Sequence, residues 1–289
     1  MQTRTGNFPL GFRRGEAKWQ QDLRTLIEWA KTNNLEVIDL GKDGATAAKT
    51  VLDAGLRVGS VDLLHWKEMI VADQGSRAEA IARNSDYIRA CAVYGPMNHF
   101  LVMLPQDPSL DRAQNFGYMV ESFNQLASVL EANNARLVIE GWPGPGALCC
   151  TPEGYRAFFR ECSSVVFGIN YDPSHLIRMG IDYLRFLHEF GSRVYHLHGK
   201  DTEILSEELY EYGHEQPATF AKPIAYGGHS WRYTIPGHGL TRWGKVLNIL
   251  QEQGYAGFVS IELEDANFDR QVAAEQLGIL QGARFLCGC

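Results

Sequence analysis

The sequence lacks several features that would each indicate a different class of protein. It has only six cysteines in 289 residues, and two of them, Cys149 and Cys150, are adjacent, so no disulfide framework is expected. Lys and Arg (27) are outnumbered by Asp and Glu (34), and the net charge of −7 is spread without runs, which disfavours a nucleic-acid partner. No apolar run approaches the ~18 residues of a membrane span, and no basic segment followed by an apolar one opens the chain. We therefore expect a cytoplasmic protein with neither a membrane nor a nucleic-acid partner.

A G-x-G-x-x-G segment is also missing after the first predicted strand, which removes the main support for a dinucleotide-binding fold. Strand-like and helix-like segments instead alternate, at roughly 30 residues per unit. The predicted strands are 7–12, 35–40, 58–63, 99–104, 136–140, 165–172, 193–198 and 257–262. Eight such α/β units favour a closed (β/α)8 TIM barrel over an open sheet, as a single domain covering residues 1–289.

Four predicted strands end on residues that a metal ion accepts: Glu140, Asp172, His198 and Glu262. The carboxyl ends of parallel strands meet at one mouth of a barrel, so these side chains are expected to lie together. Three carboxylates held close together repel one another, and some of them must take up a proton unless a cation compensates their charge. The sequence therefore predicts one divalent cation held by these four residues. For each residue alone, a buried ion pair or a helix cap is the competing interpretation.

The predicted ligand set has three oxygen donors and one nitrogen donor. Such a set suits Mn²⁺, Mg²⁺ or Co²⁺ better than a thiolate-seeking ion. Mn²⁺ is the first expectation, and Mg²⁺, Co²⁺ and Zn²⁺ are the alternatives.

The same strand ends carry a resemblance to a known family. Glu140, the run 172–175 (Asp-Pro-Ser-His), the run 198–201 (His-Gly-Lys-Asp) and the run 260–262 (Ser-Ile-Glu) resemble the sugar phosphate isomerase/epimerase group of xylose-isomerase-like TIM barrels. That group includes ketose 3-epimerases, hydroxypyruvate isomerase and inosose dehydratase. The resemblance covers about residues 136 to 265. It implies a small-molecule sugar or polyol substrate, proton transfer through a metal-stabilised enediolate, and a homo-oligomer by analogy. It further implies that Glu140 and Glu262 are acid/base groups as well as ligands.

Five further residues are candidate substrate contacts. His175 is one by the resemblance, and Lys200 resembles the lysine of the inosose dehydratase side of the family. Trp142 is expected to form a wall against a sugar ring, with plain packing as the alternative. Arg232 and His238 lie in or near a long passage, 202–239, that has no strong periodicity and is expected to form a lid or rim over the site. A solvated loop is the simpler interpretation of both.

Three other functions remain open at this point. A dehydratase or lyase acting on a keto-inositol or a 3-keto-glycoside would use the same enolate chemistry. An endonuclease IV-like phosphodiesterase would need three zinc ions and an Asp-x-His after the seventh strand, which the run 201–203 (Asp-Thr-Glu) does not supply. A barrel that only binds a ligand is the fourth interpretation, and the two glutamates argue against it.

Overall fold

A computed structural model describes residues 1–215, 218–269 and 271–289. In these ranges the strands are β1 Leu10–Arg13, β2 Val37–Asp39, β3 Arg57–Val58, β4 Val61–Asp62, β5 Asn98–Val102, β6 Arg136–Glu140, β7 Phe167–Tyr171, β8 Val194–Gly199, β9 Asp201–Ile204, β10 Trp231–Thr234 and β11 Val259–Ile261. The helices are α1 Lys18–Gln21, α2 Leu23–Thr32, α3 Gly44–Asp53, α4 Gln74–Ala92, α5 Arg112–Ala132, α6 Pro152–Glu161, α7 Pro173–Arg178, α8 Tyr183–Phe190, α9 Ser206–Tyr212, α10 Trp243–Glu252 and α11 Val272–Cys287. Each of the eight predicted strands has a counterpart, the third one divided into β3 and β4.

The described residues group into two compact units. The first unit comprises Met1–Val37, Asp172–Gly191 and His198–Cys289, and the second comprises Ile38–Tyr171 and Ser192–Leu197. Strand β8 gives its first four residues to the second unit and its last two to the first. The single domain over 1–289 stays a prediction.

The second unit is built on a parallel sheet with the strand order β4–β5–β6–β7–β8. Its strands are apolar because both faces are covered: Leu137, Val138 and Ile139 of β6 are all fully buried. Helices α4 and α5 pack against each other in this unit. Helix α6 begins with Thr151 accepting a hydrogen bond from the Gly154 amide at 3.3 Å and with Pro152 at the first helical position.

The first unit contains the parallel pair β1–β11, in register from Leu10 opposite Val259 to Phe12 opposite Ile261. Helix α11 packs on both of these strands. The end of β8 is closely packed at Gly199, since a Cβ there would lie 2.9 Å from Cδ1 of Ile261, and that side chain would have to shift.

The passage 202–239, apart from 216–217, which lie outside the described residues, contains more regular structure than its composition suggests. Strands β9 and β10 form an antiparallel pair, with Asp201 opposite Thr234 and Trp231 opposite Ile204, and α9 follows β9 directly. A two-stranded sheet therefore follows the end of β8. No helix in the described ranges combines the length and apolar character needed to cross a membrane.

Candidate metal centre and substrate pocket

Three of the four predicted ligands lie together within the first unit. Asp172 caps helix α7, where its Oδ1 accepts a hydrogen bond from the Ser174 amide at 2.9 Å. His198 is the penultimate residue of β8 and is fully buried, and Glu262 follows β11 directly. One donor atom from each of the three lies within 4.8 Å of the others.

The donor set fits a divalent cation. Donors bound at about 2.1 Å to one ion lie roughly 3–4.2 Å from each other, so a small adjustment of the observed spacing is enough. Two carboxylates and a neutral imidazole also carry the charge that a dication neutralises. Asp172, His198 and Glu262 would hold the ion.

Glu140 belongs to the second unit. It is the last residue of β6, is 4% exposed, and its Oε1 accepts a hydrogen bond from the Asn170 amide side chain at 2.8 Å. Strand register places Glu140 opposite Asn170 in β7. Its role as the fourth ligand stays a prediction.

Lys200 lies among the carboxylates of the first unit. Its Nζ is 2.5 Å from Glu262 Oε2, 2.9 Å from Glu264 Oε2 and 3.2 Å from Asp172 Oδ2. The side chain is 1% exposed, and its ammonium lies 4.6 Å from the centre of the Tyr233 ring. Because a buried ammonium needs close counter-charges, these carboxylates compensate the charge of Lys200 beside two predicted metal ligands.

His175 connects the Asp172 carboxylate to β10. Its Nδ1 is 2.7 Å from the Tyr233 hydroxyl, and its Nε2 is 3.3 Å from Asp172 Oδ2. Burial raises the pKa of Tyr233, against the opposing effect of Lys200 and Arg178, so the hydroxyl keeps its proton. The Tyr233 hydroxyl therefore donates to Nδ1, which makes Nδ1 the acceptor nitrogen of the His175 ring.

A cavity of about 570 Å³ in the first unit opens onto Glu262. Arg13, the last residue of β1, lines it and places its Nε 3.3 Å from Glu262 Oε1. Tyr226 lines the same cavity, and its pKa is raised by burial and then by the charges of Asp269, Glu264 and Glu275. The cavity is therefore a negatively charged pocket beside the candidate metal centre, and we call it the Glu262 pocket.

Of the other three predicted substrate contacts, two belong to the first unit and one to the second. Arg232 donates from Nε to Glu203 Oε2 at 2.7 Å across the β9–β10 pair. His238 is exposed, with its ring 6.3 Å from that of Phe268. Trp142 is half-buried in the loop after β6 of the second unit. His175 and Lys200 are brought to the ligands, whereas no contact of Arg232 or His238 with a ligand is found among the described residues.

Sequence reasoning missed three residues near Glu262. Glu264 could have been found from the alternation along 260–264, because residues two apart in an extended segment share a face. Arg13 ends a strand, which is the same signal that predicted the ligands. Tyr233 gave no such signal, since it lies in the passage that has no periodicity.

The chain matches the model of the xylose isomerase-like TIM barrel over residues 17–289. It therefore belongs to the xylose isomerase-like TIM barrel family, which confirms the predicted fold class.

Two curated relatives match parts of the chain. The uncharacterized protein YfiH of Bacillus subtilis is 33% identical over 108 residues, which cover 37% of this chain and 34% of the relative. The inosose dehydratase of Clostridium tetani is 25% identical over 146 residues, or 50% of this chain and 46% of the relative. The matched parts thus span between about a third and a half of the length of these relatives.

Solved structures match nearly the whole chain at low identity. A D-psicose 3-epimerase determined in the presence of D-fructose has a TM-score of 0.72 and 16% identity, covering 97% of this chain and 100% of its own. The IOLI protein with a bound zinc atom has a TM-score of 0.67 and 16% identity, covering 96% of each chain. At this identity the likeness establishes the fold.

Proposed function

We propose that the protein is a divalent-metal-dependent isomerase or epimerase of a sugar or polyol. The observation that carries the proposal is the grouping of buried Asp172 and His198 with the partly exposed Glu262, which lines the Glu262 pocket. The fold shared with a D-psicose 3-epimerase supports the proposed reaction class, and the fold shared with the zinc-bound IOLI protein supports a divalent cation. The choice of Mn²⁺, the cytoplasmic location and the homo-oligomer stay predictions.

When bound, the ion would supply Lewis-acid polarisation of a substrate carbonyl and a neighbouring hydroxyl. Glu262 would remove a proton from the carbon next to the carbonyl, because it lies at the pocket and is only partly exposed. Glu140, at the end of β6, is proposed as the fourth ligand and the second acid/base on the grounds of the family resemblance. Returning the proton to the opposite face of the same carbon gives an epimer, and returning it to the adjacent carbon gives an isomer.

A dehydratase acting on a keto-inositol or a 3-keto-glycoside is the second candidate. Lys200 favours it, because a buried ammonium within reach of Glu262 can give its proton to a departing hydroxyl, which leaves as water. The Glu262 carboxylate would take the proton from the adjacent carbon, and the electron pair of that C–H bond would form the C=C bond. The similarity to an inosose dehydratase also supports this candidate.

The test is solvent exchange followed by NMR in D₂O, with the chelated protein reloaded separately with Mn²⁺, Mg²⁺, Co²⁺ and Zn²⁺. D-fructose, D-tagatose and scyllo-inosose are the probes. Deuterium at one carbon without loss of water supports the epimerase, whereas loss of water from the inosose supports the dehydratase.

The diagnostic variant is Glu262→Gln, which removes the base and one ligand but keeps the side-chain size. We expect exchange to fall at least about a hundredfold. The matched control is Glu252→Gln at the exposed end of α10, which should exchange like the wild type. Exchange that persists in the Glu262 variant, or that is indifferent to chelation, contradicts the proposal.

A further inference from the structure

Acidic side chains outnumber basic ones in the lining of the Glu262 pocket. Six carboxylates line it against two guanidinium groups, Arg13 and Arg14. The six are Glu16, Glu262, Glu264, Asp265, Asp269 and Glu275. Lys200 and Asp172, which stand just behind the lining, cancel each other, and a divalent cation would remove two more negative charges. The pocket therefore stays negative even with the ion present.

Both arginines of the pocket are engaged with acceptors of the chain. Arg13 faces Glu262 at 3.3 Å. Arg14 donates from Nε to the Gln20 carbonyl at 2.8 Å, and from Nη2 to the Gln21 carbonyl and side-chain oxygen at 3.2 and 3.1 Å. Recognition of a phosphate by arginine usually needs a guanidinium fork directed at the phosphate oxygens. A phosphate that used the Nε–Nη2 edge of Arg14 would have to break the contacts of that edge, and one that approached Arg13 would meet Glu262 beside it.

Two of the acidic side chains are fixed by the fold. Asp265, 1% exposed, accepts hydrogen bonds from the amides of Ile235 at 3.1 Å and Asn267 at 2.9 Å. Glu275 accepts from Trp19 Nε1 at 2.7 Å and from the Gln20 side chain at 3.3 Å. Carboxylates held in this way cannot turn away from an arriving anion, so their repulsion acts in full.

We propose that the Glu262 pocket selects uncharged and amino-bearing sugars or polyols and rejects their phosphorylated or carboxylated derivatives. This inference rests on the proposed function, because it takes the pocket as the substrate site. Hydroxyl and ammonium groups donate to fixed carboxylates, whereas a phosphate dianion loses hydration and meets charge of its own sign. Selection thus comes as much from repulsion of the anion as from attraction of the neutral sugar.

The experiment compares D-fructose, 1-amino-1-deoxy-D-fructose and D-fructose 6-phosphate with the metal-loaded full chain. Binding is followed by tryptophan fluorescence, since Trp19 contacts the pocket residue Glu275, and turnover by deuterium exchange. We expect D-fructose 6-phosphate to bind at least about tenfold more weakly than D-fructose, with a gap that narrows at 0.5 M NaCl. The amino sugar should bind as well as D-fructose or better.

Asp269→Asn tests the cause, with Glu252→Gln as the matched control outside the pocket. Removing one pocket charge should raise the affinity for the phosphate ester relative to D-fructose by roughly three- to tenfold, and the control should leave the ratio unchanged. Equal or tighter binding of the phosphate ester by the wild type, or binding of none of the three probes, overturns the inference. If the order of binding holds but no exchange occurs, the proposed reaction fails while the charge selection stands.

Discussion

Replacing Lys200 by Met removes a buried positive charge from a group of three carboxylates while keeping most of the side-chain volume. The ammonium lies 2.5–3.2 Å from Glu262, Glu264 and Asp172, and Lys200 is 1% exposed. Breaking the buried pair of Lys200 with Asp172 costs about 3–5 kcal/mol, because the buried Asp172 carboxylate loses its counter-ion. In EDTA we therefore expect the free energy of unfolding to fall by about that amount.

The divalent ion provides a second measurement on the same variant. Two of the three contacts of Lys200 are with predicted metal ligands, so ammonium and ion offset the same negative charges. At a free Mn²⁺ concentration 100 times the Kd of the wild type, the ion stabilises the folded wild type by about 2.7 kcal/mol. The variant is compared at the same Mn²⁺ concentration. We expect the stabilisation to be larger in the Lys200→Met variant than in the wild type.

The assay is urea unfolding followed by fluorescence, with and without Mn²⁺. Lys245→Met, at an exposed position of α10, is the control and should change the midpoint little. A loss below about 1 kcal/mol in EDTA, typical of a surface ion pair, would refute the reasoning that Lys200 is a buried counter-ion. Equal stabilisation of variant and wild type by Mn²⁺ would show that the ion and the ammonium do not share carboxylates.

Two further predictions concern stability. Burial lowers the pKa of His99 from 6.5 to about 4. Between these pH values the unfolded chain takes up a proton that the folded protein excludes. The free energy of unfolding gained from neutral His99 is therefore full above pH 6.5, and about 3 kcal/mol of it is lost as the pH falls toward 4. His99→Leu should remove this part of the pH dependence of unfolding, and an unchanged slope would contradict the assignment. Asp201 accepts hydrogen bonds from the amide and hydroxyl of Thr241 at 2.9 and 2.7 Å. Asp201→Asn turns one acceptor oxygen into a donor and should lower the free energy of unfolding in urea by about 2–3 kcal/mol. A change near zero would refute this role of Asp201.

The sequence determined the order of the elements and the residue types at the strand ends. Apolar runs such as 136–139 must be buried on both faces, and Pro173 after Asp172 starts a helix where the carboxylate can cap it. Because these constraints act over a few residues, the alternation of strands and helices could be predicted from local pattern alone. The same local pattern predicts Glu140, Asp172, His198 and Glu262 as metal ligands, because each stands at the end of a predicted strand.

The tertiary structure decided the electrostatic surroundings of those ligands. That Lys200 touches three carboxylates, that Tyr233 reaches His175, and that Arg13 faces Glu262 all depend on contacts between residues far apart in the chain. The residues 202–239 have no periodicity that predicts the β9–β10 pair. A short two-stranded sheet depends on the structure it packs against for its stability, so its own sequence pattern can be weak. Local pattern therefore predicted which residues could act, and only the folded chain determined the charges that surround them.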